Sequence, residues 1–167
     1  MGRSIGAIEG LPVLDLGRRV ADELGTSPDL ALVAVPEADY RRVEARVACQ
    51  VLDHAVAQGA VVALGSGCLG DPRIGRRLEE LRLVHDRSCQ IVALACATRV
   101  LATRNGLDAP RSVALGTVYH QFVQMLHERQ ARCRELADTI IDTSATTPEE
   151  AGEQVIRAVE AGFSHHS

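Results

Sequence analysis

The tripeptide Gly65-Ser66-Gly67 is well placed to contact a ligand, because it follows an unbroken apolar run, Ala60 to Leu64. Such a run, ended by glycine, is typical of a strand buried on both faces in a parallel sheet. Ligands bind at the carboxyl ends of such strands, and glycine lets backbone N–H groups approach a ligand without an intervening Cβ. Taken alone, the tripeptide still favours a simpler interpretation, a tight strand-to-helix turn.

Strands and helices are predicted to alternate along the chain, which is typical of an α/β fold with a parallel sheet. The predicted strands cover residues 12–15, 60–64, 89–95 and 138–142. The predicted helices cover 17–24, 36–58, 72–83, 98–102, 117–136 and 148–160, and the segment 29–35 is ambiguous. The helix 36–58 is expected to bury a stripe formed by Val43, Val47, Val51, Leu52 and Val56. The last helix has a clear start, because Thr147-Pro148-Glu149-Glu150 combines a cap residue, a first-turn proline and two acids.

The composition indicates a single domain, residues 1–167, with a core built from aliphatic side chains, since 46% of residues are hydrophobic but only 2% are aromatic. A net charge of −4 is not the basic balance of a nucleic-acid binder. The five cysteines are odd in number and lack CxxC spacing, so we expect reduced thiols rather than a disulfide framework or zinc site. No segment is long and apolar enough for a membrane, and no signal peptide is visible, so a soluble cytoplasmic protein is expected.

Two longer motifs carry a family resemblance when they are combined with Asp15, at the end of a predicted strand, and the glycine turn. The helix from Pro36 begins Glu37-Ala38-Asp39-Tyr40-Arg41-Arg42-Val43-Glu44, and the strand near the carboxyl end follows Arg129-Gln130-Ala131-Arg132-Cys133-Arg134-Glu135-Leu136-Ala137-Asp138. This arrangement resembles the shikimate kinase family over nearly the whole chain. The resemblance implies a nucleoside-monophosphate-kinase-like P-loop fold, a three-layer α/β/α structure with a mostly parallel sheet. It also implies ATP- and Mg²⁺-dependent phosphorylation of the 3-hydroxyl of shikimate, in aromatic amino acid biosynthesis.

The resemblance assigns a substrate-binding role to five residues. Arg41 corresponds to the arginine that grips the shikimate carboxylate, and Arg129 to its partner across the substrate. Gly65 and Gly67 match the outer two of three substrate-contacting glycines, and Ser66 replaces the middle one. Two arginines around one small carboxylate would give charge-assisted, oriented binding. The alternative is that both arginines are solvated helix-face residues, but finding both at matching positions favours the ligand role.

Further roles implied by the resemblance concern the magnesium and nucleotide side. Asp15 resembles the first acid of an Asp-x-Asp pair near magnesium and the substrate, although a helix-capping role is equally well supported. The loop at about 104–116 resembles the lid, with Arg104 near the adenine side. Arg111 follows Ala109-Pro110, where the family has Arg-Pro, and could substitute for that arginine. The tail, 162–167, is expected to be frayed.

The chain departs from the family pattern at the phosphate-binding side. It has no Gly-x-x-x-x-Gly-Lys-Ser/Thr loop, and all 18 of its basic residues are arginines. Gly17 stands where the second acid of the pair is usual, and Gln130-Ala131 stands where Arg-x-Pro is usual.

Two explanations of the missing loop are open. One is a start codon assigned downstream of the true one, and the other is genuine loss of ATP use. A sheet without the family's first strand should expose apolar edges, which favours the first explanation or a homodimer that covers the gap.

These departures leave three functions open. The first is a kinase of shikimate or of a related cyclitol. The second is a degenerate shikimate-kinase-like binding or regulatory domain that no longer uses ATP. The third is a generic α/β domain whose arginines are only surface charge.

Overall fold

The protein is described by a computed structural model that covers residues 10–84, 89–104 and 113–164. Strands and helices alternate along these ranges, which confirms the predicted α/β class. The strands are β1 (Val13–Asp15), β2 (Val61–Ala63), β3 (Val92–Ala95) and β4 (Thr139–Asp142). The helices are α1 (Leu16–Glu23), α2 (Ala31–Ala34), α3 (Glu37–Gln58), α4 (Pro72–Val84), α5 (Thr98–Arg104), α6 (Val113–Leu136) and α7 (Pro148–Ser164), with a 3₁₀ turn at Ser66–Gly70.

The helix ends follow from local chemistry that the sequence displays. At the end of α3, Gly59 adopts φ +71°, which favours glycine, and its N–H donates to the Ala55 carbonyl at 2.9 Å. At the start of α7, the Thr147 hydroxyl accepts from the Glu150 N–H at 3.2 Å, and the Glu150 carboxylate accepts from the Thr147 N–H at 2.8 Å. This reciprocal pair is a capping box and confirms the predicted start of the last helix.

The segment 29–35, which the sequence left ambiguous, contains the short helix α2. Two predicted boundaries are wrong. The segment 104–116 is not a loop throughout, because Arg104 ends α5 and α6 begins at Val113; the residues between them, with Arg111, lie outside the described residues. Residues 162–164 continue α7 rather than fraying, and residues 165–167 also lie outside the described ranges.

Among the described residues, the four strands form two parallel pairs. In the first pair Val13, Leu14 and Asp15 lie opposite Val61, Val62 and Ala63. In the second pair Val92 to Ala95 lie opposite Thr139 to Asp142. The parallel direction was predicted, but burial of the β2 run on both faces was not observed: Val61, Val62 and Ala63 are all only half-buried. In β3 and β4, Leu94 and Ile140 are each 47% exposed.

The hydrophobic core lies on the side of the first strand pair. Its least exposed large members are Leu16, Val20, Ile74, Leu81 and Leu136, from α1, α4 and the end of α6. The predicted α3 stripe is buried at Val47, Val51 and Leu52, but Val56 is 37% exposed, which corrects that prediction. Among the described residues, no helix is long and apolar enough to cross a membrane.

Candidate functional site

Two arginine side chains from different helices meet above Gly67 in the 3₁₀ turn after β2. A Cβ atom placed on Gly67 would lie 3.3 Å from Nη1 of Arg41 and 3.3 Å from Nη2 of Arg129. Arg41 is on the first turns of α3, and Arg129 is near the carboxyl end of α6. Any side chain at Gly67 would therefore intrude on both guanidinium groups, whereas a Cβ at Gly65 would meet nothing within 4 Å.

Arg41 is held in place by a carboxylate that is itself buried. Its Nη1 donates to Glu44 Oε2 at 2.8 Å, and Glu44 is only 7% exposed. Glu37 contributes a longer ion pair at 3.6 Å, and the Tyr40 ring centre lies 5.4 Å from the guanidinium carbon. The hydrogen bond to Glu44 raises the pKa of Arg41 above its ordinary value. The guanidinium is thus fixed in orientation and permanently charged.

Glu44 is a site residue to which the sequence analysis assigned no role. It appeared there only as the last residue of the Glu37–Glu44 motif. The sequence spacing does indicate this pair, because Arg-x-x-Glu places both side chains on one helix face, where they can form an ion pair.

Arg129 differs from Arg41 because none of the residues in the described ranges pairs with its guanidinium. It is half-buried, and its neighbour Gln130 donates to the Cys96 carbonyl at 3.0 Å, which ties α6 to the end of β3. An unpaired, partly desolvated guanidinium beside a second one favours a bound anion. The planar fork of arginine suits a carboxylate or phosphate in particular.

Asp15 has a structural role as the cap of α1. Its Oδ1 accepts from the Arg18 N–H at 3.1 Å, and a Cβ at Gly17 would lie 3.4 Å from the same oxygen. The geometry therefore supports the helix-capping role of Asp15. Within residues 10–84, 89–104 and 113–164, no three His, Cys, Asp or Glu side chains are grouped so that they could hold a metal ion.

A cavity of about 240 Å³ adjoins the two-arginine site. It shares Ser66 and Arg129 with that site and extends along β3 to Arg104 and Arg134. Arg104, predicted on the adenine side, here contacts Cys96 Sγ at 3.7 Å and the Thr143 carbonyl at 3.5 Å, so it connects α5 to the segment after β4.

Cys68 and Cys96 are buried. Burial is the main reason that the pKa of Cys68 is raised to about 12. A thiol with so high a pKa is protonated at neutral pH and is a poor nucleophile. Cys68 therefore supports the packing beneath the site rather than its chemistry.

Comparison with known sequences identifies the family. The shikimate kinase family model matches residues 1–160. A shikimate kinase from Thermobifida fusca is 27% identical over 161 residues, which cover 96% of this chain and 87% of the relative. A shikimate kinase from Streptococcus suis is 24% identical over 146 residues, 87% of this chain and 86% of the relative.

Comparison with solved structures supports the same fold. A shikimate kinase from Acinetobacter baumannii, solved in complex with shikimate, superposes with a TM-score of 0.68 over 96% of this chain and 84% of that chain, at 16% identity. A shikimate kinase from Bacteroides thetaiotaomicron gives a TM-score of 0.69 over 95% and 89% of the two chains, at 15% identity. With the family match spanning nearly its whole length, the chain belongs to the shikimate kinase family.

Proposed function

We propose that Arg41 and Arg129 clamp the carboxylate of shikimate or a related cyclitol above Gly67. The observation that carries the proposal is the approach of both guanidinium groups to within 3.3 Å of one Cβ position. Arg41, fixed by Glu44, would orient the carboxylate, and Arg129, whose guanidinium pairs with no described residue, would close over it. The absence of a side chain at Gly67 leaves room for the ligand, with Gly65 and Ser66 beside it.

In this proposal the first candidate activity is the one the family performs, transfer of a phosphoryl group from ATP to the 3-hydroxyl of shikimate. Orientation of the acceptor is much of what such an enzyme supplies. The carboxylate clamp would provide that orientation by fixing the ring at one end. The five free thiols and the net charge of −4 support a cytoplasmic protein whose partner is a small anion rather than nucleic acid; a homodimer stays a prediction.

The second candidate is a binding or regulatory domain that no longer uses ATP. The family uses ATP and Mg²⁺, but the residues present do not fit either group well. Asp15 is engaged in capping α1, and Gly17 offers no second acid. These features favour recognition of the carboxylate without phosphoryl transfer.

Calorimetric titration of the full chain with shikimate tests the clamp. Arg129→Gln should bind shikimate about 10- to 150-fold more weakly, since a charge-assisted hydrogen bond contributes about 1.5–3 kcal/mol. Arg132→Gln is the matched control, because Arg132 lies on the same helix but pairs with Glu135 at 2.8 Å instead of facing Gly67, and the affinity of this variant should match the wild type. Equal affinities for all three proteins would contradict the proposal.

The same samples separate the two candidate activities. With Mg²⁺ and ATP added, formation of shikimate 3-phosphate can be followed by ³¹P NMR. Product formation that Arg129→Gln reduces would support the kinase. Shikimate binding with no product above the no-protein control would support the binding domain.

A further inference from the structure

We propose that Gln130 is a positioning residue for the two-arginine site. Its side-chain amide holds the turn of α6 that carries Arg129 against the end of β3, so that the Arg129 guanidinium stays above Gly67. This role rests on the proposed carboxylate clamp, whose second arginine it would fix.

One turn of α6 reaches the ends of two strands at once. Successive residues of a helix point about 100° apart, so the neighbours Arg129 and Gln130 leave α6 in different directions. Nη2 of Arg129 lies 3.3 Å from a Cβ placed on Gly67, in the turn after β2. Nε2 of Gln130 donates to the carbonyl of Cys96, directly after β3, at 3.0 Å. The backbone between these two side chains is therefore held from the β3 side.

The Cys96 carbonyl belongs to a backbone segment that is itself anchored. On one side, the Ala95 carbonyl accepts from the Thr143 N–H at 2.7 Å and from the Thr143 hydroxyl at 2.9 Å. On the other side, the Ala97 N–H donates to Ser144 Oγ at 2.7 Å. Cys96 lies between these contacts and is 8% exposed. Loss of the hydrogen bond from α6 would therefore displace α6 rather than the end of β3.

Arg129 depends on this support more than Arg41 does. Arg41 has a carboxylate partner of its own, because its Nη1 donates to Glu44 Oε2 at 2.8 Å. The Arg129 guanidinium pairs with no residue of the described ranges, so its direction depends on the helix that carries it. A long side chain loses conformational freedom when it binds an anion, and a fixed backbone beneath it reduces that loss.

Calorimetric titration of the full chain with shikimate tests this role in Gln130→Met. Methionine matches glutamine in helix propensity but has no N–H donor. We expect about 3- to 10-fold weaker binding, the effect of one neutral hydrogen bond, and the same loss in Gln130→Leu. The fold should be kept, because Leu136 anchors α6 in the core, and far-UV circular dichroism checks this. Gln124→Met is the matched control, since the Gln124 amide donates to Glu128 on the same exposed face at 3.3 Å, and its affinity should equal that of the wild type.

A double variant separates positioning from a general structural role. If Gln130 acts through Arg129, the double variant Arg129→Gln with Gln130→Met should bind shikimate as weakly as Arg129→Gln alone, within about twofold. A structural role that weakens the whole site would instead multiply the two losses.

Three results would overturn the role of Gln130. They are wild-type affinity in Gln130→Met, an equal loss in Gln124→Met, and multiplied losses in the double variant. In each case weaker binding by Arg129→Gln would leave the clamp standing. Wild-type affinity in Arg129→Gln would contradict the clamp itself, and the positioning of Arg129 would fail with it.

Discussion

The two strand pairs of this protein are supported very differently. The pair β1–β2 rests on a continuous core contributed by α1, α3 and α4, in which Val20 and Ile74 have no exposed surface. Around the pair β3–β4, buried side chains of the described residues include Ile141 and Val155, and these lie outside that core. We call these regions the packed half and the open half.

The candidate site is built on the packed half and on the helix that joins both halves. Arg41 and Gly67 belong to elements of the packed half, and Glu44 is buried beneath them. Arg129 comes from α6, whose Leu136 enters the same core and whose Gln130 reaches β3. The region proposed to bind the carboxylate is therefore preorganised by the core of the packed half.

A pair of leucine truncations should show the difference between the halves most strongly. Leu81, in the packed half, is 2% exposed, and Leu94, in the open half, is 47% exposed. Leu81→Ala should lower the free energy of unfolding by about 2–5 kcal/mol, and Leu94→Ala by less than about 1 kcal/mol. Urea denaturation measures both, with Leu83→Ala, at an 84% exposed position of the same helix as Leu81, as the control. Equal losses of unfolding free energy in Leu81→Ala and Leu94→Ala would contradict the difference between the two halves.

Removal of the carboxylate beneath Arg41 should have the next largest effect. Glu44→Ala would leave the Arg41 guanidinium without its buried partner and should cost about 1–3 kcal/mol of stability. Glu37→Ala removes the longer pair, whose carboxylate is 80% exposed, and should cost less than about 0.5 kcal/mol. Shikimate affinity should also fall in Glu44→Ala but not in Glu37→Ala. A Glu44→Ala protein with wild-type stability and affinity would show that Glu44 does not position Arg41.

Substitution of Gly67 should affect binding rather than folding. In Gly67→Ala the new Cβ would lie 3.3 Å from a guanidinium nitrogen of each arginine, so a shift of both side chains by a fraction of an ångström would relieve the contact. We expect unchanged stability and about tenfold weaker shikimate binding, equivalent to about 1.4 kcal/mol. Gly70→Ala is the matched control, because Gly70 ends the same 3₁₀ turn and a Cβ there meets nothing within 4 Å. If both variants bind like the wild type, the ligand does not lie above Gly67.

A small pH-dependent contribution is expected at the start of α4. Hydrogen bonds from the Arg73 guanidinium hold the pKa of Asp71 below its ordinary value. The resulting stabilisation is present above pH of about 4 and is lost as pH falls through the lowered pKa. Because the pair is near the solvent, Asp71→Asn should lower the free energy of unfolding at pH 7 by less than about 0.5 kcal/mol. The difference from the wild type should vanish near pH 2; a difference that persists there would have another cause.

The sequence was most informative where local chemistry decides the structure. The start of α7 and the end of α3 could be predicted because capping residues satisfy the terminal N–H and C=O groups. The burial of β2 could not, because the exposure of Val61 to Ala63 depends on which strands lie beside them. Asp15 illustrates the same limit, since its sequence position suits both a cap and a metal ligand, and only its contact with the Arg18 N–H distinguishes them.

The two arginines of the site were identified only through the family resemblance. Their separation in sequence carries no geometric information, and either one alone resembles a solvated helix residue. Their convergence on Gly67 is a property of the fold, and their role in binding remains a prediction.

A calorimetric titration of the wild-type chain with shikimate and with shikimate methyl ester tests the central claim most directly. The ester keeps the ring and the three hydroxyls but removes the negative charge that the arginines would bind. We predict saturable binding of shikimate in the micromolar to millimolar range, about −8 to −4 kcal/mol, and no detectable binding of the ester. Equal affinities for the two compounds, or no binding of shikimate, would contradict a carboxylate clamp at Arg41 and Arg129.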